Sequence, residues 1–140
     1  MQTMSIPTCV VVKGADSFQS KQGLQNFAGI SAETAGSCGL CMHLVTIPPG
    51  GRARAHLHED HETAVYVISG DVDMWFGEHL EQHLVCRAGE FAYIPANMPH
   101  VPANAHPTEP CVAVLARTDP REQESVVVRP DLEALLPPQG

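Results

Sequence analysis

Short runs of apolar, β-branched and aromatic residues recur along the chain, separated by glycine, proline, asparagine or aspartate. Runs of this length between turn-forming residues are typical of strands in β-sandwiches and barrels. The pattern predicts strands at residues 8–12, 40–47, 63–68, 71–76, 83–87, 91–95, 111–117 and 125–130. We therefore expect an all-β fold with strands close to both ends of the chain.

One segment has a helical pattern instead. The sequence "PDLEALL", residues 130–136, starts with a proline, which suits the first turn of a helix, and "PPQG" follows it as a stop. The 140 residues contain no internal repeat and no low-complexity tract. A chain of this length is enough for one core, so a single domain over residues 1–140 is expected.

The charge balance narrows the range of partners. The chain has 8 basic and 16 acidic residues, a formal net charge of -8. A phosphate backbone or an anionic membrane surface would be repelled on average, so nucleic acid and membrane are not expected partners. No apolar run approaches the length of a membrane span, and the N-terminus lacks a basic region followed by an apolar stretch. These features predict a cytoplasmic protein.

The chain has five cysteines, an odd number, and they lie in apolar segments. This favours reduced, partly buried thiols over a disulfide framework. Cys38 and Cys41 form a CxxC pattern, but no second CxxC and no helix start accompany it. We interpret the pair as small core residues and not as a redox or metal motif.

Histidines gather at the start of one predicted strand, in "AHLHEDHETAVYVISG", residues 55–70. Residues two apart on a strand point to the same face, so His56 and His58 should project together. His100 follows the proline-rich turn "IPANMP" and could approach them from a facing strand. Such imidazoles indicate a metal site, whereas the alternative is a solvated polar strand entrance.

Two spaced patterns contain these histidines. The first has five residues between Gly and HxH, three between HxH and Glu, and seven before the next Gly, and it comprises Gly50, His56, His58, Glu62 and Gly70. The second has five residues between Gly and a Pro-x-Asn segment, two between that segment and His, and three between His and Asn, and it comprises Gly89, Pro95, Asn97, His100 and Asn104. In this order, 18 residues apart, they resemble the two motifs of the cupin superfamily.

The resemblance implies a cupin double-stranded β-helix, a jelly-roll barrel, with its motifs within about residues 40–117. It also implies one divalent metal ion per chain, held by His56, His58, Glu62 and His100. Imidazole ligands suit Zn and Fe, which we expect first, and also Ni, Cu or Mn.

The chain departs from the family pattern at two positions. Asn97 stands where glycine is usual, and asparagine tolerates a positive φ. Glu62 lies one residue too far from Gly70, so counting back from that glycine puts Thr63 at the carboxylate position. In one register Glu62 binds the metal, and in the other a bulge turns His61 inward in its place.

Other titratable residues have candidate roles. His43, on the preceding strand, is a candidate fourth ligand or catalytic acid/base, or else a core histidine, and Glu62 is the second catalytic candidate. Asp60 could orient an imidazole. The remaining histidines are expected on the surface: His79, His83 and His106.

The chemistry stays open at this point. Arg52 and Arg54 flank the first motif and the other arginines are scattered, so no phosphate clamp is evident. One Trp, two Tyr and four Phe predict a mainly aliphatic cavity. We expect Lewis-acid chemistry on a small apolar carbonyl- or phenol-bearing compound, such as polyketide cyclisation or isomerisation. The alternatives are a ferrous dioxygenase of aromatic or thiol compounds and a non-catalytic small-ligand-binding protein.

A homodimer is also expected. The apolar segments "TCVVV" near the N-terminus and "SVVVRP" near the C-terminus would form edge strands that need cover. Pairing with a second copy would supply it, and the family resemblance points the same way.

Overall fold

The structure, a computed structural model, describes residues 8–13, 17–121 and 125–136. In chain order its elements are β1 (Ser17–Gln19), β2 (Gln25–Ile30), α1 (Ala32–Ala35), β3 (Cys41–Ile47), β4 (His56–His58), β5 (Thr63–Ser69), β6 (Asp71–Phe76), β7 (Gln82–Arg87), β8 (Phe91–Ile94), β9 (His100–Ala103), β10 (Cys111–Arg117), β11 (Val126–Val128) and α2 (Pro130–Glu133). Two antiparallel sheets contain all of these strands.

The two sheets have the strand orders β1-β2-β3-β10-β5-β8 and β11-β4-β9-β6-β7. Neighbouring strands are mostly distant in sequence, as a jelly roll requires. The all-β, jelly-roll prediction is therefore confirmed.

The core lies between the inner faces of the sheets. Along β3 and β5 buried and exposed residues alternate, as expected for strands with one face on a core. Val45 and Val67 from the larger sheet join Val72 and Met74 from the smaller one in a single buried cluster. The same inner faces also enclose the polar residues described below.

The strand predicted at residues 125–130 is present as β11, whereas the prediction was wrong for the N-terminal end. Residues 8–13 form no strand, and Val10 and Val11 are exposed. The outer strands β1 and β2 had no strong apolar pattern, and their strand form depends on the pairing of β2 with β3. The helix starts at Pro130 as predicted but spans only Pro130–Glu133. Within the described residues, neither helix has the length or hydropathy to cross a bilayer.

Gly70, between β5 and β6, lies in close contact with the backbone at the start of β10. Its φ is +76°, and an added Cβ would lie 2.7 Å from the Pro110 carbonyl oxygen. Gly89 has a φ of +87° but open space around it. We expect Gly89→Ala to cost about 1–2 kcal/mol for the left-handed backbone, and Gly70→Ala about 1–3 kcal/mol more for overpacking. Urea denaturation of both variants measures the difference, and equal costs would contradict the close approach.

Candidate metal centre

Three buried histidines meet on the inner face of the smaller sheet. His56 pairs directly with His100 across β4 and β9, and His58 lies two residues further along β4. Their candidate ligand atoms all lie within 4.8 Å of one another, and each residue is at most 3% exposed. The strand periodicity that predicted a shared face for His56 and His58 thus agrees with their positions.

Backbone carbonyls orient two of the imidazole rings. His56 Nδ1 lies 2.7 Å from the Arg54 carbonyl oxygen, and His100 Nδ1 lies 2.8 Å from that of Met98. A carbonyl oxygen only accepts, so each Nδ1 carries the proton and each Nε2 keeps its lone pair. His58 Nδ1 is buried with no hydrogen-bond partner among the described residues. Lone pairs on clustered, buried imidazoles are the donor set that a divalent ion requires.

The electrostatics keep all three rings neutral. Burial lowers the pKa of His100 to about 4, and it also holds the pKa values of His56 and His58 well below their usual range. The positive charge of Arg117 lowers all three further. Metal ligation needs deprotonated imidazole, so the ligands are ready for a metal ion at neutral pH.

A turn from the second motif fixes the strand that carries His58. Asn97 has a φ of 64°, which confirms that asparagine replaces the family's glycine in the left-handed region. Its backbone N–H donates to the His58 carbonyl oxygen at 3.0 Å, and its side-chain oxygen accepts from the Asp60 N–H at 2.9 Å. Asp60 therefore pairs with Asn97, and this corrects its expected role of orienting an imidazole.

Glu62 does not join the three imidazoles. The turn after His58 has Asp60 at a φ of 61°, which breaks the pleat that would have carried Glu62 to the same face. The side chain is exposed, and its Oε1 accepts from the Tyr93 hydroxyl at 2.6 Å. Thr63 is the buried residue at this point and begins the inward series of β5. The structure therefore has the register counted back from Gly70, in which Thr63 occupies the carboxylate position of the motif.

His61 does not replace Glu62 in the cluster either. Its Nε2 lies 3.9 Å from Asp119 Oδ2, in a separate open groove. The bulge of the alternative register, which would turn this ring inward, is absent between the described residues of β4 and β5, where the chain forms a turn instead.

The cavity beside the imidazoles is mainly aliphatic, as predicted. Its free volume is about 50 Å³, which is room for about four water-sized groups. Its apolar walls include Val45, Ile47, Val65, Val72, Met74 and Ile94. A ligand that fits without rearrangement is therefore small.

A buried arginine shares this cavity. Arg117, the last residue of β10, is 3% exposed and lines the cavity together with the three histidines. Its Nε donates to the Thr63 hydroxyl at 3.0 Å. Sequence reasoning treated this arginine as one of several late cations. Its position in "CVAVLAR" could have identified it, because Arg117 lies an even number of residues from the inward-facing Cys111 and Ala113.

His43 lies on the inner face of β3 and is 5% exposed. Burial and the charge of Arg117 lower its pKa to about 4, so its imidazole is neutral at pH 7. It is not a member of the cluster of three. The structure therefore does not place it as a fourth ligand, and its role as an acid/base remains a prediction.

The other singled-out residues lie outside the cavity. His79, His83 and His106 are exposed, as expected. Arg52 approaches Glu133, and Arg54 donates to the Lys21 carbonyl oxygen. The five cysteines, all within the described residues, form no disulfide. Cys41 is fully buried as expected, but Cys38 is exposed, so the prediction that both CxxC cysteines are core residues was wrong for Cys38.

The sequence model of the cupin domain matches residues 43–116, more than half of the chain. The matched segment includes both motifs and all three clustered histidines. This protein therefore belongs to the cupin family. No curated protein matches the sequence.

Solved structures with the same fold include oxalate decarboxylases. A Bacillus subtilis oxalate decarboxylase variant is 25% identical, with a TM-score of 0.70 over 88% of this chain and 32% of that one. The Lactobacillus farciminis enzyme in a formate complex is 18% identical, with a TM-score of 0.69 over 87% of this chain and 36% of that one. The chain thus spans about a third of these enzymes' length.

A third similar structure is described as a candidate sugar phosphate isomerase from Acidithiobacillus ferrooxidans. It is 24% identical, with a TM-score of 0.58 over 76% of this chain and 67% of that one. At this identity, the likeness shows the fold alone. Another structure of the Bacillus subtilis decarboxylase, 25% identical with a TM-score of 0.67 over 84% of this chain and 31% of that one, was solved in a study of its Mn(II) centres.

Proposed function

We propose that this protein is a metal-dependent enzyme that acts on a small carbonyl- or phenol-bearing compound by non-redox chemistry, and that His56, His58 and His100 hold the metal. The observation that carries the proposal is the cluster of three buried, neutral imidazoles on the wall of a mainly aliphatic cavity. A bound divalent ion supplies Lewis-acid polarisation of an oxygen atom. Three protein ligands leave coordination positions for a substrate, as in catalytic sites and unlike closed structural sites.

The chain's own residues would orient the substrate and move its proton. The apolar walls exclude water and position the hydrocarbon part of the substrate. His43 is the candidate base, because its neutral imidazole can accept a proton at pH 7. It does not itself line the cavity, but it lies close enough to His58 to affect the pKa of that ring. Glu62 is left out of both the ligand set and the catalytic set, because its carboxylate lies outside the cavity against Tyr93.

The size of the cavity selects among the expected reactions. A free volume of about 50 Å³ favours a substrate of a few carbon atoms and a proton-transfer isomerisation. Closure of a polyketide chain would need the walls to move apart. The metal can be Zn, Fe or Mn, and the similarity to a manganese-containing oxalate decarboxylase supports adding Mn to the first two.

Hydrogen–deuterium exchange at the carbon next to a carbonyl group tests the reaction class. Small ketones and 2-oxo acids would be incubated with the metal-containing protein in D₂O and followed by NMR, with an oxygen electrode in parallel. We expect exchange in the wild type and none with His100→Ala. Substrate-dependent oxygen uptake without exchange would favour a ferrous dioxygenase, and ligand binding without either would favour a non-catalytic cupin.

We also propose a homodimer, formed through the outer face of the larger sheet and not through the N-terminal segment. Residues 8–13, at one expected edge, form no strand. The outer face instead exposes a set of large apolar side chains, Phe27, Met42, Leu44, Tyr66, Ile68, Phe91 and Tyr93. An exposed apolar surface of this kind is typical of a protein–protein interface.

Phe91→Asp tests that interface. Phe91 is 78% exposed, so the change leaves the core intact but would place a charge in the apolar contact. Light scattering after size exclusion should give a dimer for the wild type and a monomer for Phe91→Asp. Leu135→Asp, an exposed position near the end of the described chain, is the control that should remain dimeric. A monomeric wild type at micromolar concentration would contradict the proposal.

A further inference from the structure

The cavity contains a permanent cation where the family pattern has an anion. Counting back from Gly70 puts Thr63 at the carboxylate position of the first motif. In the structure the Thr63 hydroxyl accepts a hydrogen bond from Arg117 Nε at 3.0 Å. The exchange of a carboxylate ligand for a threonine–arginine pair shifts the local charge by two units in the positive direction.

Arg117 lines the same cavity as the three clustered histidines. Its positive charge lowers the pKa values of His56, His58 and His100, and also that of His43. Burial lowers the pKa of the Arg117 guanidinium below its usual value, whereas the Cys41 side chain and the buried Asp119 carboxylate raise it, so Asp119 offsets part of the charge of Arg117. The imidazoles themselves contribute no negative charge, and a divalent ion among them would add two positive charges. A buried cavity with this balance is stabilised by an anionic occupant.

We propose that Arg117 and Thr63 form a carboxylate-binding subsite beside the three histidines, and that the substrate is a small monocarboxylate with a short apolar chain. This inference rests on the proposed function for the identity of the reaction site. The planar guanidinium matches the two oxygens of a carboxylate. The Thr63 hydroxyl, which accepts from Arg117, still has its own proton to donate to an anion.

The walls favour a monocarboxylate over a phosphate. Arg117 is the only arginine or lysine among the described residues that line the cavity, whereas a phosphate dianion calls for more cationic or backbone donors. The walls also include valine, isoleucine and methionine side chains, which suit a short hydrocarbon chain. The free volume of about 50 Å³ limits that chain to a few carbon atoms.

Calorimetric titration of the protein with its metal tests the subsite. The probes are acetate, its uncharged isostere acetamide, and inorganic phosphate. A charge-assisted pair should make acetate bind about tenfold or more tightly than acetamide in the wild type. Phosphate should bind more weakly than acetate. Equal affinity for the acid and the amide, or tighter binding of phosphate, would overturn the proposal without any variant.

Variants assign the preference to the proposed residues. Arg117→Gln should abolish the preference for the acid, Arg117→Lys should retain part of it, and Thr63→Val should reduce it several-fold. Arg87→Gln, which removes an exposed cation on β7, is the matched control and should behave as the wild type. A preference that survives Arg117→Gln would mean that the metal alone binds the carboxylate, and would overturn the assignment.

Elemental analysis of the same samples separates the two proposals. Metal at the wild-type level without a carboxylate preference would contradict the subsite but leave the proposed function standing. A carboxylate preference lost with Arg117→Gln in a protein that binds no metal would support the subsite and contradict the proposed function.

Discussion

His56→Ala and His100→Ala are each expected to weaken metal binding by more than about 100-fold, because each removes a whole ligand, and even the loss of a ligand's supporting hydrogen bond costs about 10–100-fold. The rings belong to directly paired residues of β4 and β9, so their loss opens the cluster from both strands. Metal content after dialysis, measured by elemental analysis, should fall to background in both variants, and turnover should disappear with it.

His83→Ala is the control for this experiment. His83 is exposed and pairs with Asp73 at 3.0 Å, outside the cavity. We expect this variant to keep the metal content of the wild type. Stoichiometric metal in both His56→Ala and His100→Ala would refute the assignment of the ligands.

Acidification below pH 6.5 should destabilise the metal-free protein. Burial lowers the pKa values of His43 and His100 from 6.5 to about 4. Between these values the unfolded chain binds more protons than the folded one, so stability is complete above pH 6.5 and falls as the pH drops towards 4. Each of these two histidines accounts for a loss of about 3 kcal/mol in the free energy of unfolding. The two losses together are comparable with a typical total stability of about 5–15 kcal/mol.

Urea denaturation of the metal-free protein at pH 7.5, 6 and 5 would measure this loss. Bound metal should protect the protein, because it competes with protons for His56, His58 and His100. His43→Gln removes one titrating group from the interior, so its stability should fall less steeply with pH. Unchanged stability of the wild type from pH 7.5 to 5 would contradict the burial of these neutral imidazoles.

Strand periodicity accounts for what the sequence predicted well. The two-residue repeat placed His56 and His58 on one face, and the spacing of the second motif brought His100 opposite to them. The tolerance of asparagine for positive φ predicted the conformation of Asn97. These features depend on local backbone geometry, which can be predicted from the spacing of residues along a strand.

Features that depend on tertiary contacts were harder to predict. Glu62 and Thr63 stood in two possible registers, and the choice depended on a turn at Asp60 that is held by Asn97, 37 residues away in the chain. The strand β2 is polar and contains a glycine, and it forms because β3 pairs with it. Arg117 was overlooked because a charged residue at a strand end is usually solvated, although its inward position follows from the alternation of β10.

The most direct test of the metal centre is the metal content of the wild-type protein purified without added metal, measured beside the His56→Ala variant. The arrangement of His56, His58 and His100 predicts about one divalent ion, Zn, Fe or Mn, per chain in the wild type and background in the variant. A wild-type protein that contains no divalent metal and takes none up on reconstitution would contradict the account.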